Sequence, residues 1–350
     1  MKFPSHFSLT ITNRCNLKCR MCGQWSENGY MRSQAFAPEM ALSDWKRVID
    51  EISGHQVDHL LIRGGEPFLF PDIVGLIEHI AAKGIPLSID TNGTMLGKFA
   101  GEISRIAGLH LTISVDGPEE IHDKVRGVKG CFAMIRDGLK KLDEEERKTG
   151  KKISRSANFT ISPWSVSGLA EMPDVCRSLG LETISIVPYY FFPEQVGERY
   201  GRELRELGAS DFSWKGFSHE TSGVDKGLFL DQYRKFLSNL GNIQNYPYMP
   251  LSEEQYSDWF SDPVTPVGFK NCENIERLID VQPSGDANFC VDFVDYSMGN
   301  VKNSSIQEVW NSERAERFRK FRRQKPLSVC HRCGAKYMSC PYSSYPNAGS

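Results

Sequence analysis

FSLTITNRCNLKCRMCGQW, residues 7–25, runs from a short β-rich segment straight into three cysteines, Cys15, Cys19 and Cys22. The segment FSLTI reads as a strand. The three thiols then fall within eight residues, with no fourth cysteine and no histidine in the loop. A disulfide, a zinc site and an iron–sulfur cluster can each bring thiols this close. A structural zinc site takes four ligands, usually as two CxxC-like halves. A [4Fe–4S] cluster also has four irons to ligate. Three thiolates leave one iron open, and an open position is how a metal site admits a reactant.

Composition narrows the choice. The chain has 350 residues, 40% hydrophobic and 25% charged, which suits one large domain or two moderate ones. A net charge of −2 gives no electrostatic case for nucleic acid or for an anionic membrane surface. MKFPSHFSLTI lacks the charged and apolar regions of a secretory signal. No run approaches the roughly 18 apolar residues of a membrane span. The expectation is a cytoplasmic protein without a membrane or nucleic-acid partner. Thiols stay reduced in that compartment, so the ten cysteines argue against structural disulfides. Three lie at 15–22 and five at 272–340, namely Cys272, Cys290, Cys330, Cys333 and Cys340. Such clustering points to metal. Cys131 and Cys176 stand apart in helical patterns, where Cys packs as a small hydrophobe.

Outward from the first strand, β-rich runs alternate with helical stretches to about residue 187. The runs are FSLTI, DHLLIRG, PLSIDTNG, LHLTISVDG, SRSANFTIS and ETISIVP. Between them lie LSDWKRVIDEIS, FPDIVGLIEHIAAKG, MLGKFAGEISRIAG, GCFAMIRDGLKKLDEEER and VSGLAEMPDVCRSLG. Several end on Gly, the usual cap of a helix C-terminus. Strands separated by helices give βαβ units and a parallel sheet. Six strands are fewer than the eight of a closed barrel. The fold class is therefore α/β, a partial (β/α)6 TIM barrel with its chemistry at the C-terminal strand ends.

Residues 188–262 change character, with aromatics, Pro, charge and one evident helix, DKGLFLDQYRKFLSNL. This insertion reads either as a surface loop with its own small core or as a substrate lid. From 264 a small Cys-rich module follows. It has a hairpin, RLIDVQPSGDANFCVDF, turning at residues 283–286, and a basic helix, SIQEVWNSERAERFRKFRRQ, whose charge reads as a solvated face. The expected division is a barrel over 1–240, a linker or insertion over 241–263 and a C-terminal β-hairpin/helix module over 264–350.

C-x3-C-x2-C after the first strand of a partial barrel resembles the radical S-adenosylmethionine (SAM) superfamily. More of that family's pattern follows at successive strand ends. Gly64, Gly65 and Glu66, in LIRGGEPFLF, resemble its GGEP motif, and Thr91 and Asn92 end strand three. SVDGPEEIHDKVRG, residues 114–127, holds Ser114, Asp116 and Arg126. The resemblance implies a [4Fe–4S] cluster on Cys15, Cys19 and Cys22 whose open iron chelates SAM. One electron would cleave SAM to methionine and a 5′-deoxyadenosyl radical, which abstracts a hydrogen atom from an unactivated C–H bond.

The family also implies how SAM is held. The two glycines would let the backbone approach its methionine group, and Glu66 would pair with its ammonium. Arg126 would meet its carboxylate. Ser114 and Asp116 would face the ribose or the methionine moiety, and Val187 would contact the adenine. Met21 stands where many members carry an aromatic residue against the adenine; its thioether can pack on a purine. His122 and Asp123 are expected to order their loop.

For the second group, four thiols at 272, 290, 330 and 333 suit either a zinc ribbon or a [4Fe–4S] cluster on spacing alone. Beside a radical SAM core the pattern resembles a SPASM/Twitch extension, which binds auxiliary clusters. The full SPASM form continues C-x2-C-x5-C-x3-C, whereas this chain has Cys330-x2-Cys333-x6-Cys340 and then no cysteine. One auxiliary [4Fe–4S] cluster on Cys272, Cys290, Cys330 and Cys333 is expected. Cys340 is left as vestigial, a substitute ligand or a hydrogen donor.

The resemblance implies a radical SAM oxidoreductase or maturase, supplied by a flavodoxin- or ferredoxin-type electron donor. Its relatives modify peptide or protein side chains, or carbohydrates and amino sugars. The first is the leading expectation, although strand one begins too early for the leader-binding domain that peptide-modifying members often carry. Glu194, Asp231, Tyr189, Tyr190 and Asp292 are polar residues with a possible place near substrate, each with a structural explanation as well. A non-catalytic zinc-ribbon protein is the remote alternative.

Overall fold

The computed structural model describes residues 3–34, 37–264 and 272–334. Its centre is a run of parallel strands in sequence order: β1 (His6–Thr10), β2 (His59–Arg63), β3 (Leu87–Thr91), β4 (Leu109–Ser114), β5 (Ser154–Ile161) and β6 (Thr183–Pro188). The crossings are α1 (Leu42–Ser53), α2 (Ile73–Ala82), α3 (Leu96–Ile103), α4 (Glu119–Arg126), α5 (Cys131–Thr149) and α6 (Met172–Ser178). All six expected strands form, in an α/β partial barrel.

The strands alternate. Phe7 and Leu9, Leu60 and Ile62, Ile89, Leu111 and Ile113, Phe159, Ile184 and Ile186 are buried in one core with the helices. The intervening residues face the lumen and are mostly polar: Ser8, Thr10, Arg63, Ser88, Asp90, His110, Thr112, Ser114, Ser156 and Asn158. Cross-strand hydrogen bonds tie that face together, His59 to Ser88 at 3.1 Å and His110 to Ser154 at 2.8 Å. A strand with one apolar and one polar face reads as alternation rather than as the continuous apolar run of a doubly covered sheet.

Three segments depart from expectation. Residues 119–126, read as loop, form α4, which Gly127 ends in the left-handed conformation at φ 74°. The insertion supplies α7 (Glu194–Glu206), α8 (Lys226–Asn239), β7 (Gln244–Asn245) and α9 (Glu253–Ser261). Residues 241–263 are thus not a bare linker, since β7 pairs with β6 and α9 buries Tyr256 and Trp259. In the C-terminal module, α10 (Asn274–Arg277) leads into β8 (Leu278–Val281), β9 (Asp286–Asn288) and β10 (Gly299–Asn300). The expected basic helix is two helices, α11 (Ile306–Trp310) and α12 (Glu313–Gln324). The break falls where Ser312 caps α12 by accepting from the Ala315 N–H at 3.1 Å.

The module is not a separate layer. β8 pairs in parallel with β1, and the hairpin β8–β9 and then β10 extend one sheet of ten strands in the order β10-β9-β8-β1-β2-β3-β4-β5-β6-β7. Its turn lies at the expected place, with Gly285 at φ 89° donating to the Gln282 carbonyl at 2.8 Å. No described helix is long and apolar enough to cross a membrane.

Candidate active site

The loop after β1 carries Cys15, Cys19 and Cys22 and is fastened on two sides. From β2, the Gly65 N–H donates to the Thr12 carbonyl and the Glu66 N–H to the Arg14 carbonyl, both at 2.8 Å. From the C-terminus of α4, the Arg126 and Val125 carbonyls accept the Lys18 and Arg20 N–H groups at 3.2 and 2.9 Å. Each sulfur receives a donor: Leu17 N–H on Cys15 at 3.5 Å, Trp25 N–H on Cys22 at 3.3 Å and Arg126 Nη1 on Cys19 at 3.7 Å. Burial pushes the Cys15 thiol up to about 11 and the Cys19 thiol to about 12. Without a cation these groups stay protonated; an iron cluster deprotonates a coordinating thiol outright. The donor set fits a cluster held by three thiolates.

Gly64 and Gly65 lie against the backbone of the cysteine loop. A Cβ on Gly64 would come within 2.5 Å of the Thr12 carbonyl oxygen, and one on Gly65 would strike the Arg14 carbonyl. The glycines allow the strand end to lie against the cysteine loop's backbone. Glu66 is fully buried. Its carboxylate accepts from the Thr91 hydroxyl at 2.7 Å, the Asn92 N–H at 2.7 Å and the Phe68 N–H at 3.2 Å. It therefore ties the end of β2 to the end of β3. Burial raises it to about 7 against these three donors. Asn92 in turn donates to Asn16 in the cysteine loop at 2.9 Å, and Asn16 donates to Thr94 at 2.9 Å. Sequence reasoning missed Asn16; only its place between two of the cysteines marked it.

Arg126 and Asp116 are brought together. Their ion pair is 2.7 Å long and buried on both sides, and Asp116 also accepts from the Thr160 N–H at 2.9 Å. Asp116 thus holds Arg126 to the end of β5. The Arg126 Nε is buried with no hydrogen-bond partner, so the guanidinium keeps an open donor of the kind a carboxylate takes. His122 Nδ1 accepts from the Asp116 N–H at 3.1 Å, which requires a neutral ring. Burial, with Arg126 nearby, lowers it to about 3. Asp123 caps the start of α5, accepting from Gly130, Cys131 and Phe132. Both order the loop, and Cys131 and Cys176 are buried in helices. Ser114 and Val187 lie half-buried at the ends of β4 and β6, and Met21 packs half-buried against the core.

The second thiol group encloses a cavity of about 540 Å³ whose walls include Cys272, Cys290, Cys330 and Cys333. The four come from α10's leading edge, the end of the hairpin and the chain after α12. Burial raises the Cys290 thiol well above its ordinary value, and Cys333 to about 12. A chamber with four thiols among its lining residues has the donor set of a four-thiolate cluster. Cys340 lies outside the described residues.

The two centres are joined by side chains that sequence reasoning noted only in part. Arg63, at the lumen end of β2, reaches Asp292 at 3.8 Å. Asp90 and Asp280 feel the same guanidinium, and burial raises Asp280 to about 6. Their spacing at alternate strand positions was the available signal. Residues Ser213–Phe217 of the insertion form a short 3-10 helix on the cysteine loop, where a Cβ on Gly23 would meet the Phe217 ring. The insertion thus covers the edge of that loop. Tyr190 sits beneath Cys333, and Tyr189 donates to the Ser222 carbonyl. Glu194 and Asp231 lie on the surface, against Glu220 and Lys235.

A partial barrel with three thiols after its first strand and a thiol-walled chamber on its sheet edge defines a SAM-dependent iron–sulfur enzyme. The chain belongs to the radical SAM superfamily, whose profile matches residues 9–154, with an iron–sulfur cluster-binding domain of the SPASM type over 272–334. It is 26% identical over 341 residues to Fe-coproporphyrin III synthase of Methanosarcina barkeri, covering 92% of this chain and 77% of that protein. It is 24% identical over 355 residues to the subtilosin biosynthesis protein AlbA of Bacillus subtilis, covering 98% of this chain and 66% of that one. Among solved structures, Streptococcus suis SuiB superposes with a TM-score of 0.64 at 16% identity, over 95% of this chain and 72% of that one.

Proposed function

We propose that this radical SAM enzyme modifies a peptide or protein side chain by hydrogen abstraction, with one auxiliary [4Fe–4S] cluster assisting. Cys15, Cys19 and Cys22 would hold the SAM-binding cluster. Cys272, Cys290, Cys330 and Cys333 would hold the auxiliary one. When bound, the first cluster and SAM together supply one-electron cleavage of SAM and the hydrogen-abstracting radical. A flavodoxin- or ferredoxin-type donor is the proposed electron source.

The residues of this chain bind and orient. Arg126, fixed by Asp116, offers its open Nε–H to the SAM carboxylate. The one remaining acceptor position on Glu66 suits the ammonium. Ser114 and Val187, at the ends of β4 and β6, take the ribose and adenine sides, with Met21 against the purine. Buried Thr91 and Asn92 hold Glu66 still and keep bulk water from it.

The observation that carries the substrate reading is the lumen charge. Asp90, Asp280 and Asp292 lie about the Arg63 guanidinium, which opposes the rise that burial imposes on each carboxyl. A carboxylate-bearing tetrapyrrole, the class that the name Fe-coproporphyrin III synthase indicates for that relative, would bring like charge to this face. A peptide with neutral or cationic groups would not. AlbA supports the same side, as a bacteriocin biosynthesis protein, and SuiB has been solved with a precursor peptide.

The test begins with anaerobically reconstituted protein, dithionite and SAM. 5′-Deoxyadenosine is expected, and none from the chain with Cys15, Cys19 and Cys22 all changed to Ala. Cell extract grown in heavy water is then split into a polypeptide fraction and a small-metabolite fraction. Deuterium in 5′-deoxyadenosine from the polypeptide fraction supports the proposal. Deuterium only from the small-metabolite fraction turns it towards a tetrapyrrole or amino sugar.

A further inference from the structure

We infer that Asn16 is a positioning residue: it sets the cysteine loop against Glu66, and so governs how tightly the chain takes up SAM. The inference rests on the proposal that the three-thiolate cluster and Glu66 both meet the methionine group of SAM.

Asn16 lies between Cys15 and Cys19 in sequence, but its side chain reaches the residues that follow β3. Its Nδ2 donates to the Thr94 hydroxyl at 2.9 Å. That hydroxyl donates to Asn92 Oδ1 at 2.7 Å. Asn92 Nδ2 donates back to Asn16 Oδ1 at 2.9 Å. The three side chains close a ring in which each donates once and accepts once. Hydrogen bonds that run head to tail polarise one another. The Thr94 N–H also donates to Asn92 Oδ1, at 3.0 Å, which holds that amide in place.

One residue joins the ring to the carboxylate. Asn92 holds Asn16 with its side chain and gives its backbone N–H to Glu66 Oε2 at 2.7 Å. The ties from β2 to the cysteine loop run through backbone groups. The tie from the end of β3 runs through side chains, so a single substitution removes it. Asn92 is buried and Asn16 is exposed. Truncating Asn16 therefore opens no cavity in the core, and its ring serves placement. A ligand that bridges two groups binds more tightly when those groups are already spaced for it. The methionine group of SAM would bridge the open iron and Glu66 in this way. Asn16 itself touches neither.

The test uses the full chain, anaerobically reconstituted and kept oxidised so that SAM is not consumed. Binding of radiolabelled SAM is measured by equilibrium dialysis, alongside iron content. Asn16→Ala is expected to raise the SAM dissociation constant about tenfold, with the iron content of the parent. Thr94→Val breaks the same ring from outside the cysteine loop and is expected to do the same. The double variant is expected to lose no more than either single one, because one ring can be broken only once. 5′-Methylthioadenosine lacks the amino and carboxylate groups, and its affinity is expected to stay at the parent value. Parent-like SAM binding in either single variant, losses that multiply in the double variant, or an equal loss for 5′-methylthioadenosine overturns the inference while the SAM reading stands. A parent that holds iron but binds no SAM overturns both. Where Asn16→Ala fails to hold iron, Thr94→Val decides: weakened SAM binding with full iron supports the inference, and unchanged binding overturns it.

Discussion

Glu66 carries three donors in a site with no access to water, and its titration is a direct probe of that arrangement. Burial holds its folded-state pKa near 7, above the ordinary 4.5. An acid raised in this way keeps its proton longer when folded than when unfolded. Between about pH 4.5 and 7 the unfolded chain has lost that proton while the folded chain retains it. Stability therefore falls as pH rises through this window and levels off above it. The loss is on the order of 3 kcal/mol. Urea unfolding of metal-free protein should become easier from pH 5 to 7, and Glu66→Gln should flatten that slope. Equal slopes in the two proteins would mean that Glu66 is already ionised in the fold. At this scale the GGEP residues were legible as a motif, but their neighbours were not. The glycines turned out to face Thr12 and Arg14, because only the fold brings residues fifty positions apart into backbone contact.

Among the elements, α12 shows how far a residue's apparent character can mislead. Its many arginines read as a solvated face, and most of them are exposed. Arg319 is fully buried. Its guanidinium lies over Trp310 at 4.3 Å and Phe289 at 4.8 Å and donates to the carbonyls of Ile275 and Trp310, each at 2.9 Å. One side chain thereby joins α10, the hairpin, α11 and α12. Lys at this position keeps the charge but loses the planar stack and the forked donation. Arg319→Lys should destabilise the protein by about 2–3 kcal/mol, read from the denaturation midpoint. A change within about 0.5 kcal/mol, the range of ordinary surface substitutions, would show that the ring stack contributes nothing. Helix α4 was hidden for a related reason. Its sequence, EEIHDKVR, is short and mostly charged, and it is held by Pro118, Gly127 and its dock on the cysteine loop rather than by an apolar stripe.

At the scale of the molecule, the C-terminal module is built into the barrel's own sheet. β8 pairs with β1 over four residues from each strand. Glu51 of α1 caps α11, accepting from Ile306 and Gln307 at 2.9 and 3.0 Å. Arg47 donates to the Val301 carbonyl at 2.6 Å. Strands that share a ladder and helices that share caps should unfold together. In the reconstituted protein, loss of far-ultraviolet circular dichroism and loss of the cluster's visible absorbance should coincide in denaturant. Two separated transitions would mean that the module folds as an independent domain.

The sequence alone determined the alternation of strands and helices, the hairpin turn and the two groups of thiols, because each is a local pattern. Period, turn residues and close Cys spacing act over a few positions and survive without tertiary context. It also placed Glu66 and Asp116 at strand ends, with Arg126 just beyond. What those residues touch was decided only in three dimensions. Arg126 is held by Asp116 and by Cys19, more than a hundred positions away, and the hairpin at 278–288 completes a sheet begun at residue 6. Burial and hydrogen-bond partners belong to the folded chain, since they depend on which distant segments exclude water from the same place.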